Sequence, residues 1–224
     1  MTRHHIFRKA LLGLPFVGVS LVSYSVARSA PAEVPGIGAQ IVAQGTPGGA
    51  VACARCHGFD GQADGSGAFP KLAAQSSQYL AKQLKAYASG IRQNAIMQPI
   101  AKGLTDSEVD SVAKYYATLP SSALPSRPLA AELLARGQQL AKVGDLNLRL
   151  QACESCHGPN GQGEPPAVPY LAGQYGHYIA VQIQMFRQGN RKSQQMQDPS
   201  HALRQQDVDA VAAYFEQASR SVTK

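Results

Sequence analysis

Residues 53–65 read CARCHGFDGQADG, and a similar stretch, CESCHGPNGQG, returns at residues 153–163. In each stretch, two cysteines stand three positions apart and a histidine follows the second cysteine directly. On a helical turn, side chains three positions apart lie on one face, so both cysteines of a pair can bind the same group. The order of cysteines and histidine therefore limits the kinds of site that each stretch can form.

Three kinds of site use paired cysteines. Two disulfides would account for four cysteines in an exported protein, but they give no role to the histidine after each pair. A zinc site built from four thiolates would bring both stretches to one metal ion and leave the methionines that recur in both halves unexplained. Covalent haem attachment gives each residue a role, because the cysteines form thioethers to one porphyrin and the histidine is placed beneath its iron. We therefore predict two covalent haem c groups, attached through Cys53, Cys56, Cys153 and Cys156, with His57 and His157 as proximal iron ligands.

The segments that follow the two stretches are copies of one another. Residues 70–116 match residues 169–215 at a constant offset of 99, without a gap. A sixth iron ligand should recur at matching places, and Met97 and Met196 are the methionines that correspond across the halves. Met185 matches an alanine and lies on an apolar helix face, so we assign it to packing. The repeat thus predicts Met97 as the second ligand of the first iron and Met196 as that of the second.

Both halves are predicted to be helical. In the first half, apolar residues recur along one helix face at Leu80, Leu84, Tyr87 and Ile91. Thr105 and Glu108 form the capping-box pattern at the start of a later helix. Residues 119–130 contain three prolines and three serines, which is typical of a linker. We predict an all-α fold with one haem-binding domain over residues 33–118 and another over residues 131–224.

The first 32 residues differ in character from the rest. Three basic residues within the first nine positions precede a mostly apolar run over residues 10–27, and small residues follow. This order predicts a secretory signal, cleaved after Ala27 or Ala32. An uncleaved membrane anchor is the alternative, although Pro15 weakens it. Cleavage after Ala32 removes four basic residues and no acidic one, so the net charge falls from +7 to +3 and indicates no nucleic-acid partner.

These motifs resemble the class I cytochrome c family, and their duplication resembles the dihaem cytochrome c4 family. The resemblance rests on CESCHGPNGQG at residues 153–163, FPKLAAQ at 69–75 and VPYLAGQ at 168–174. It also rests on the methionine of each half and the V-x-x-V-A-x-Y/F helix after it, and it covers about residues 36–218. It implies two tandem class I cytochrome c domains, each wrapped around one covalent haem.

The resemblance implies two further contacts in each half. The carbonyl oxygen of a loop proline, Pro70 or Pro169, accepts a hydrogen bond from the ring of the proximal histidine and fixes its orientation. The first and last helices of each domain cross at a small residue. The crossing glycines and the tyrosines of the partner helices are Gly38 with Tyr115 and Gly137 with Tyr214.

We expect this chain to transfer electrons, one per haem, between periplasmic or membrane redox partners and not to act as an enzyme. A terminal oxidase and a dehydrogenase are the partner classes considered, and membrane association stays open beside a periplasmic location. Two alternatives to a free electron carrier remain: a cytochrome subunit of a periplasmic dehydrogenase complex, and a dihaem peroxidase. A methionine ligand in each half disfavours the peroxidase, because peroxide needs an open or displaceable site on the iron.

Overall fold

The computed structural model describes Met1, residues 36–125 and residues 128–218. Apart from Met1, the predicted signal segment lies outside the described residues, and so do its cleavage sites after Ala27 and Ala32. Both halves of the repeat belong to one compact unit, Pro35–Lys224. Secondary structure over the described ranges consists of helices and isolated bridges without a β-strand, which confirms the predicted all-α fold.

Five α-helices follow one another in each half. The first half contains α1 (Ile37–Gln44), α2 (Ala54–His57), α3 (Ser77–Ala88), α4 (Met97–Lys102) and α5 (Asp106–Thr118). The second half contains α6 (Ala131–Lys142), α7 (Glu154–His157), α8 (Gly176–Arg187), α9 (Gln194–Ala202) and α10 (Gln205–Gln217). Two 3₁₀ helices, Leu146–Leu148 and Pro159–Gly161, occur in the second half. No helix in the described part of the chain combines the length and apolar character needed to cross a membrane.

Each half has its own apolar core. The first core contains Ile41, Val42, Leu80, Val112, Ala113 and Tyr116. The second contains Leu140, Ala141, Leu150, Ile179, Ile183, Leu203, Val208, Val211, Ala212 and Phe215. The apolar positions of the last helix of each half recur with helical spacing, so one face of that helix is buried along its length. Leu80 of the predicted α3 face belongs to the first core, and Ile179 and Ile183 on α8 belong to the second.

The first and last helices of each half cross at a glycine, as the resemblance implies. A Cβ atom on Gly137 would lie 2.8 Å from the Cβ atom of Tyr214 and closer still to the backbone oxygen of Ala210. A Cβ atom on Gly38 would lie 3.0 Å from the Cβ atom of Tyr115. Carbon atoms pack at about 3.5–4.0 Å, so a side chain larger than hydrogen would push the helices apart. The glycines therefore set how closely these helices approach.

The predicted face of α3 extends one turn too far. The helix ends at Ala88, and Gly90 then takes a φ of 77°, a left-handed conformation that ends helices and suits glycine. Ile91 lies beyond this turn and is 51% exposed, so its assignment to the helix face is wrong. The apolar period alone did not reveal where the glycine stops the helix.

The last helix of each half is capped differently. Thr105 Oγ1 accepts the amide of Glu108 at 3.3 Å, and the Glu108 carboxylate accepts the amide of Thr105 at 2.7 Å, which confirms the capping box of α5. The start of α10 uses Asp207, which accepts the amide of Arg204 at 3.2 Å. The same buried carboxylate also binds Arg204 Nε at 2.7 Å and Arg136 Nε at 2.8 Å. An ion-pair cluster thus replaces the box in the second half.

Candidate haem-binding sites

Each Cys-x-x-Cys-His segment forms one short helical turn. Helices α2 and α7 have four residues each and begin directly after the first cysteine of the pair. The amide of His57 donates to the carbonyl oxygen of Cys53 at 3.0 Å, and that of His157 donates to Cys153 at 2.9 Å. The turn therefore brings the cysteines and the histidine of each half to one face. None of the four thiols is in a disulfide.

Both histidine rings are held by a proline carbonyl. His57 Nδ1 lies 3.2 Å from the carbonyl oxygen of Pro70, and His157 Nδ1 lies 3.1 Å from that of Pro169. A carbonyl oxygen can only accept, so Nδ1 carries the proton in each ring. The Nε2 atom then keeps its lone pair, which is the form of imidazole that binds a metal.

The first cysteine and the histidine of each half are sheltered from water. Burial lowers the pKa of His57, and its hydrogen bond to Pro70 partly opposes this effect. Burial raises the pKa of the Cys53 and Cys153 thiols to about 11. The low dielectric of the site therefore favours the neutral form of both the imidazoles and the thiols at neutral pH.

A glycine-rich loop leads from each histidine to its proline. Gly61 has a φ of 68°, and a Cβ atom there would lie 2.8 Å from the ring of Tyr116. In the second half a Cβ atom on Gly161 would lie 2.7 Å from the ring of Phe215. Glycine thus lets the loop press against the last helix of its half. This packing turns the chain back so that the proline carbonyl reaches the histidine ring.

The two predicted methionine ligands lie on separate short helices. Met97 is the first residue of α4, and the side-chain oxygen of Asn94 accepts its amide at 2.8 Å. Met196 is the third residue of α9. Both side chains are half-buried, and so is Met185 on α8. Iron binding by Met97 and Met196 stays a prediction.

The donor set of each half fits a covalently attached haem. Two thiols on one turn match the two thioether bonds that attach haem c. The imidazole presents an Nε2 lone pair, and a thioether sulfur is available on another helix. A nitrogen and a thioether are the axial ligand pair of many c-type cytochromes.

The structure also brings together polar side chains of the two halves that were not predicted to form a site. They are Tyr79, Gln83 and Arg92 from the first half and Tyr178, Gln182 and Arg191 from the second. Each of the three recurs at the offset of 99, which is the signal by which they could have been found. Four of the six hydrogen bonds among these residues run from one half to the other, and the spacing within a half does not reveal such contacts.

Comparisons with known proteins agree with this geometry. The chain matches the Cytochrome c family over residues 38–120 and again over residues 134–219. It is 39% identical over 179 residues to a thiosulfate dehydrogenase electron acceptor from Stutzerimonas stutzeri, covering 78% of this chain and 82% of that protein. It is 33% identical over 172 residues to a cytochrome c4 from Pseudomonas aeruginosa, covering 75% of this chain and 84% of the relative.

A solved structure gives the same result in three dimensions. The thiosulfate dehydrogenase TsdBA from Marichromatium purpuratum superposes with a TM-score of 0.76 and 33% identity. The match covers 84% of this chain but only 41% of that larger chain. The likeness therefore concerns less than half of that chain.

The comparisons and the paired sites lead to one assignment. The chain carries two covalent haem c groups and transfers electrons, and it is a carrier and not an enzyme. This result excludes the peroxidase alternative. It also supports redox proteins, including dehydrogenases, as the partners of this chain. The chain belongs to the cytochrome c family and, within it, to the tandem dihaem cytochromes of the c4 family.

Proposed function

We propose that this cytochrome accepts electrons from a periplasmic dehydrogenase that oxidises thiosulfate, and passes them to a further redox protein such as a terminal oxidase. The observation that carries the proposal is the pair of matching imidazole sites within one compact unit. Similarity to an electron acceptor of thiosulfate dehydrogenase supports the choice of donor. The alternative of a subunit held permanently in a dehydrogenase complex uses the same two sites.

The chain's own residues have separate tasks in this proposal. The cysteines of each half hold the porphyrin, and the proline carbonyl holds the imidazole in the tautomer that binds iron. When bound, each haem supplies a one-electron couple, because its iron alternates between the ferric and ferrous states. His57 and Met97 would hold the iron of the first haem, and His157 and Met196 that of the second. A thioether ligand would favour a high reduction potential, which suits an acceptor.

We also propose how the full chain is organised. Residues 33–118 and 131–224 form the two domains, and residues 119–130 join them. Processing after Ala27 or Ala32 releases the chain into the periplasm. N-terminal sequencing of the protein from a membrane-free fraction checks this step, since a chain that keeps residues 1–27 and stays with the membranes would contradict it.

Haem content is tested by mass spectrometry under denaturing conditions. The purified protein should carry two covalent haem groups, and Cys53→Ala combined with Cys56→Ala should leave one. The matched double variant at Cys153 and Cys156 should also leave one. A protein that carries zinc and no covalent haem would rule out the assignment.

The choice of donor is tested by rapid mixing of the oxidised cytochrome with thiosulfate dehydrogenase and thiosulfate. We expect both haems to be reduced, as followed by their visible absorption, and no reduction when the enzyme or thiosulfate is omitted. Ascorbate serves as an artificial reductant that checks the competence of the haems. Reduction by ascorbate without reduction by the enzyme would refute the proposed donor and leave the electron-carrier assignment intact.

A further inference from the structure

A glutamine side chain from each half binds the proline loop of the other half. The side-chain oxygen of Gln174 accepts the amide of Lys71 at 2.9 Å, and Gln174 Nε2 donates to the carbonyl oxygen of Lys71 at 3.0 Å. Gln75 makes the same two bonds with the backbone of Tyr170, both at 3.1 Å. Both the glutamines and the loop residues correspond across the repeat at the offset of 99. The contact is therefore built twice, once in each direction.

Both glutamines are buried and fixed within their own half. Gln75 is 7% exposed and Gln174 is 8% exposed. Their side-chain oxygens also accept the amide of the following residue, Ser76 at 3.0 Å and Tyr175 at 3.1 Å. A carboxamide that accepts from the amide and donates to the carbonyl of one residue fits in a single orientation. Each glutamine thus holds its loop residue by both backbone polar groups, as a neighbouring strand would.

The residue held in this way follows the proline whose carbonyl binds the proximal histidine. The carbonyl of Pro70 and the amide of Lys71 belong to one peptide group, which is planar. The oxygen of this group lies 3.2 Å from His57 Nδ1, and its nitrogen lies 2.9 Å from the side-chain oxygen of Gln174. The second half repeats this arrangement at its own proline loop. One peptide group therefore joins a histidine of one half to a glutamine of the other.

The bond at the peptide nitrogen affects the bond at the peptide oxygen. A planar peptide group turns as a unit, so a fixed N–H direction also fixes the direction of the C=O. Hydrogen bonds in a chain polarise one another, so an acceptor on the N–H makes the C=O a stronger acceptor for the imidazole. A stronger bond at Nδ1 raises the basicity of the imidazole as a ligand, which stabilises ferric iron. The glutamine of one half is therefore placed to act on the iron ligand of the other.

We propose that Gln174 is a positioning residue for the proximal histidine of the first haem, and that Gln75 has this role for the second haem. Each glutamine acts through the peptide group that follows the loop proline of the opposite half. The inference rests on the proposed ligation of iron by His57 and His157, and it is independent of the protein that donates the electrons. It makes the reduction potential of each haem depend on the contact between the halves, through a chain of neutral groups.

The crossed arrangement predicts a crossed redox effect. In Gln174→Met the amide of Lys71 loses its acceptor and the bond to His57 weakens, so the potential of the first haem should rise. The potential of the second haem should stay close to that of the wild type, although the substitution lies in the second half. Gln75→Met should raise the potential of the second haem alone. A glutamine that served only to stabilise its own half would act on the haem of that half.

The experiment is a redox titration of the dihaem protein followed by nuclear magnetic resonance. Signals of each proximal histidine are assigned through its own backbone amide, so each potential is traced to one half of the chain. In the ferrous wild-type protein, the ring current of a haem strongly shifts the signals of its bound histidine, which tests the ligation separately. Unshifted signals from His57 and His157 would refute the ligation and the inference with it. In Gln174→Met, the Nδ1 proton of His57 should exchange with water about fivefold faster, because the closed state loses about one hydrogen bond.

Two control variants separate this role from general effects. Gln78→Met makes the same change at an exposed site, where the side-chain oxygen accepts from Ser76 of the same half at 3.1 Å. Tyr175→Phe removes a different bond between the halves, in which the Tyr175 hydroxyl donates to the carbonyl oxygen of Gln62 at 2.6 Å. Neither control removes a partner of the peptide groups that hold the proximal histidines. Both potentials should therefore stay close to those of the wild type in each control.

A milder variant covers the case in which Gln174→Met does not accumulate as a dihaem protein. Gln174→Asn keeps the carboxamide on a side chain one carbon shorter, which cannot reach both polar atoms of Lys71, and it should raise the same potential by less. A shift in the haem of the substituted half would overturn the inference, and so would unchanged potentials in both methionine variants. Equal shifts of both haems that also occur in Tyr175→Phe would show a general loosening of the contact between the halves and would overturn it as well.

Discussion

Replacing Gly137 by alanine tests whether the helix crossing stabilises the second domain. The new Cβ atom would lie 2.8 Å from the Cβ atom of Tyr214 and from the carbonyl carbon of Ala210. Carbon atoms need about 3.5–4.0 Å, so α6 and α10 would have to separate by about 1 Å. Overpacking of this kind costs about 1–3 kcal/mol, and rigid backbone atoms place this site near the upper end. Alanine in place of glycine regains about 1 kcal/mol of helix propensity, which leaves a net loss of about 2 kcal/mol.

Thermal unfolding of the dihaem protein, followed by far-ultraviolet circular dichroism, measures this loss. A change of about 2 kcal/mol in a domain of this size lowers the melting temperature of its transition by about 8–16 °C. Gly38→Ala should act on the first domain in the same direction. The control is Gly36→Ala, where the added atom would meet nothing within 4 Å and the effect should stay below about 1 kcal/mol. If Gly137→Ala is as stable as the wild type, the close approach of α6 and α10 at this glycine does not limit the size of the side chain there.

Three further predictions concern the ion-pair cluster and the haem environment. Burial would raise the pKa of Asp207, but hydrogen bonds from Arg204 and Arg136 hold this pKa at about 2. The carboxylate therefore stabilises the fold above its ordinary pKa of 3.8, and this stabilisation is lost as the pH falls towards 2. Because the arginines are partly exposed, this contribution is about 1–2 kcal/mol, and urea unfolding of Asp207→Asn should show lower stability at neutral pH and a weaker decline in acid. Met97→Ala and Met196→Ala should each remove one share of the ferric methionine–iron absorption band and lower one potential, whereas loss of that band in Met185→Ala would contradict the ligand assignment. The two haems should titrate at different potentials, the first higher, because residues 36–118 carry a net charge of +2 and residues 131–218 one of −1; a single unsplit wave would disprove this.

Most of the helical architecture could be predicted because it depends on local spacing. The apolar positions of α5 and α10 recur with the helical period, and they are the buried face of each helix. The Thr105 capping box is likewise a pattern within four residues. The extent of α3 was misjudged, since a left-handed Gly90 ends the helix before Ile91. An apolar residue after a helix end still fits the period, so periodicity could not exclude it.

The ion-pair cluster at the start of α10 shows a second limit. Arg136 lies 71 positions before Asp207, and their side chains meet because α6 and α10 cross. The start of α10 lacks the Ser/Thr-x-x-Glu/Gln pattern of a capping box, and no local pattern identifies the ion pairs that replace it. Charged residues are common on helix surfaces, so a pair this distant becomes visible only when the helices are placed.

The fold class and the chemistry of the two sites can be inferred from the amino-acid sequence. Cysteine and histidine in one helical turn are close because of helix geometry alone, and the repeat shows that the arrangement occurs twice. The meeting of Arg92 and Arg191 across the two halves, on shared amide oxygens, depends on how the halves pack against each other. Each half carries the same Gly-x-Arg segment, and the spacing within one half is unaffected by how it faces the other. The position of buried charge thus depends on the packing of two copies, which no local pattern encodes.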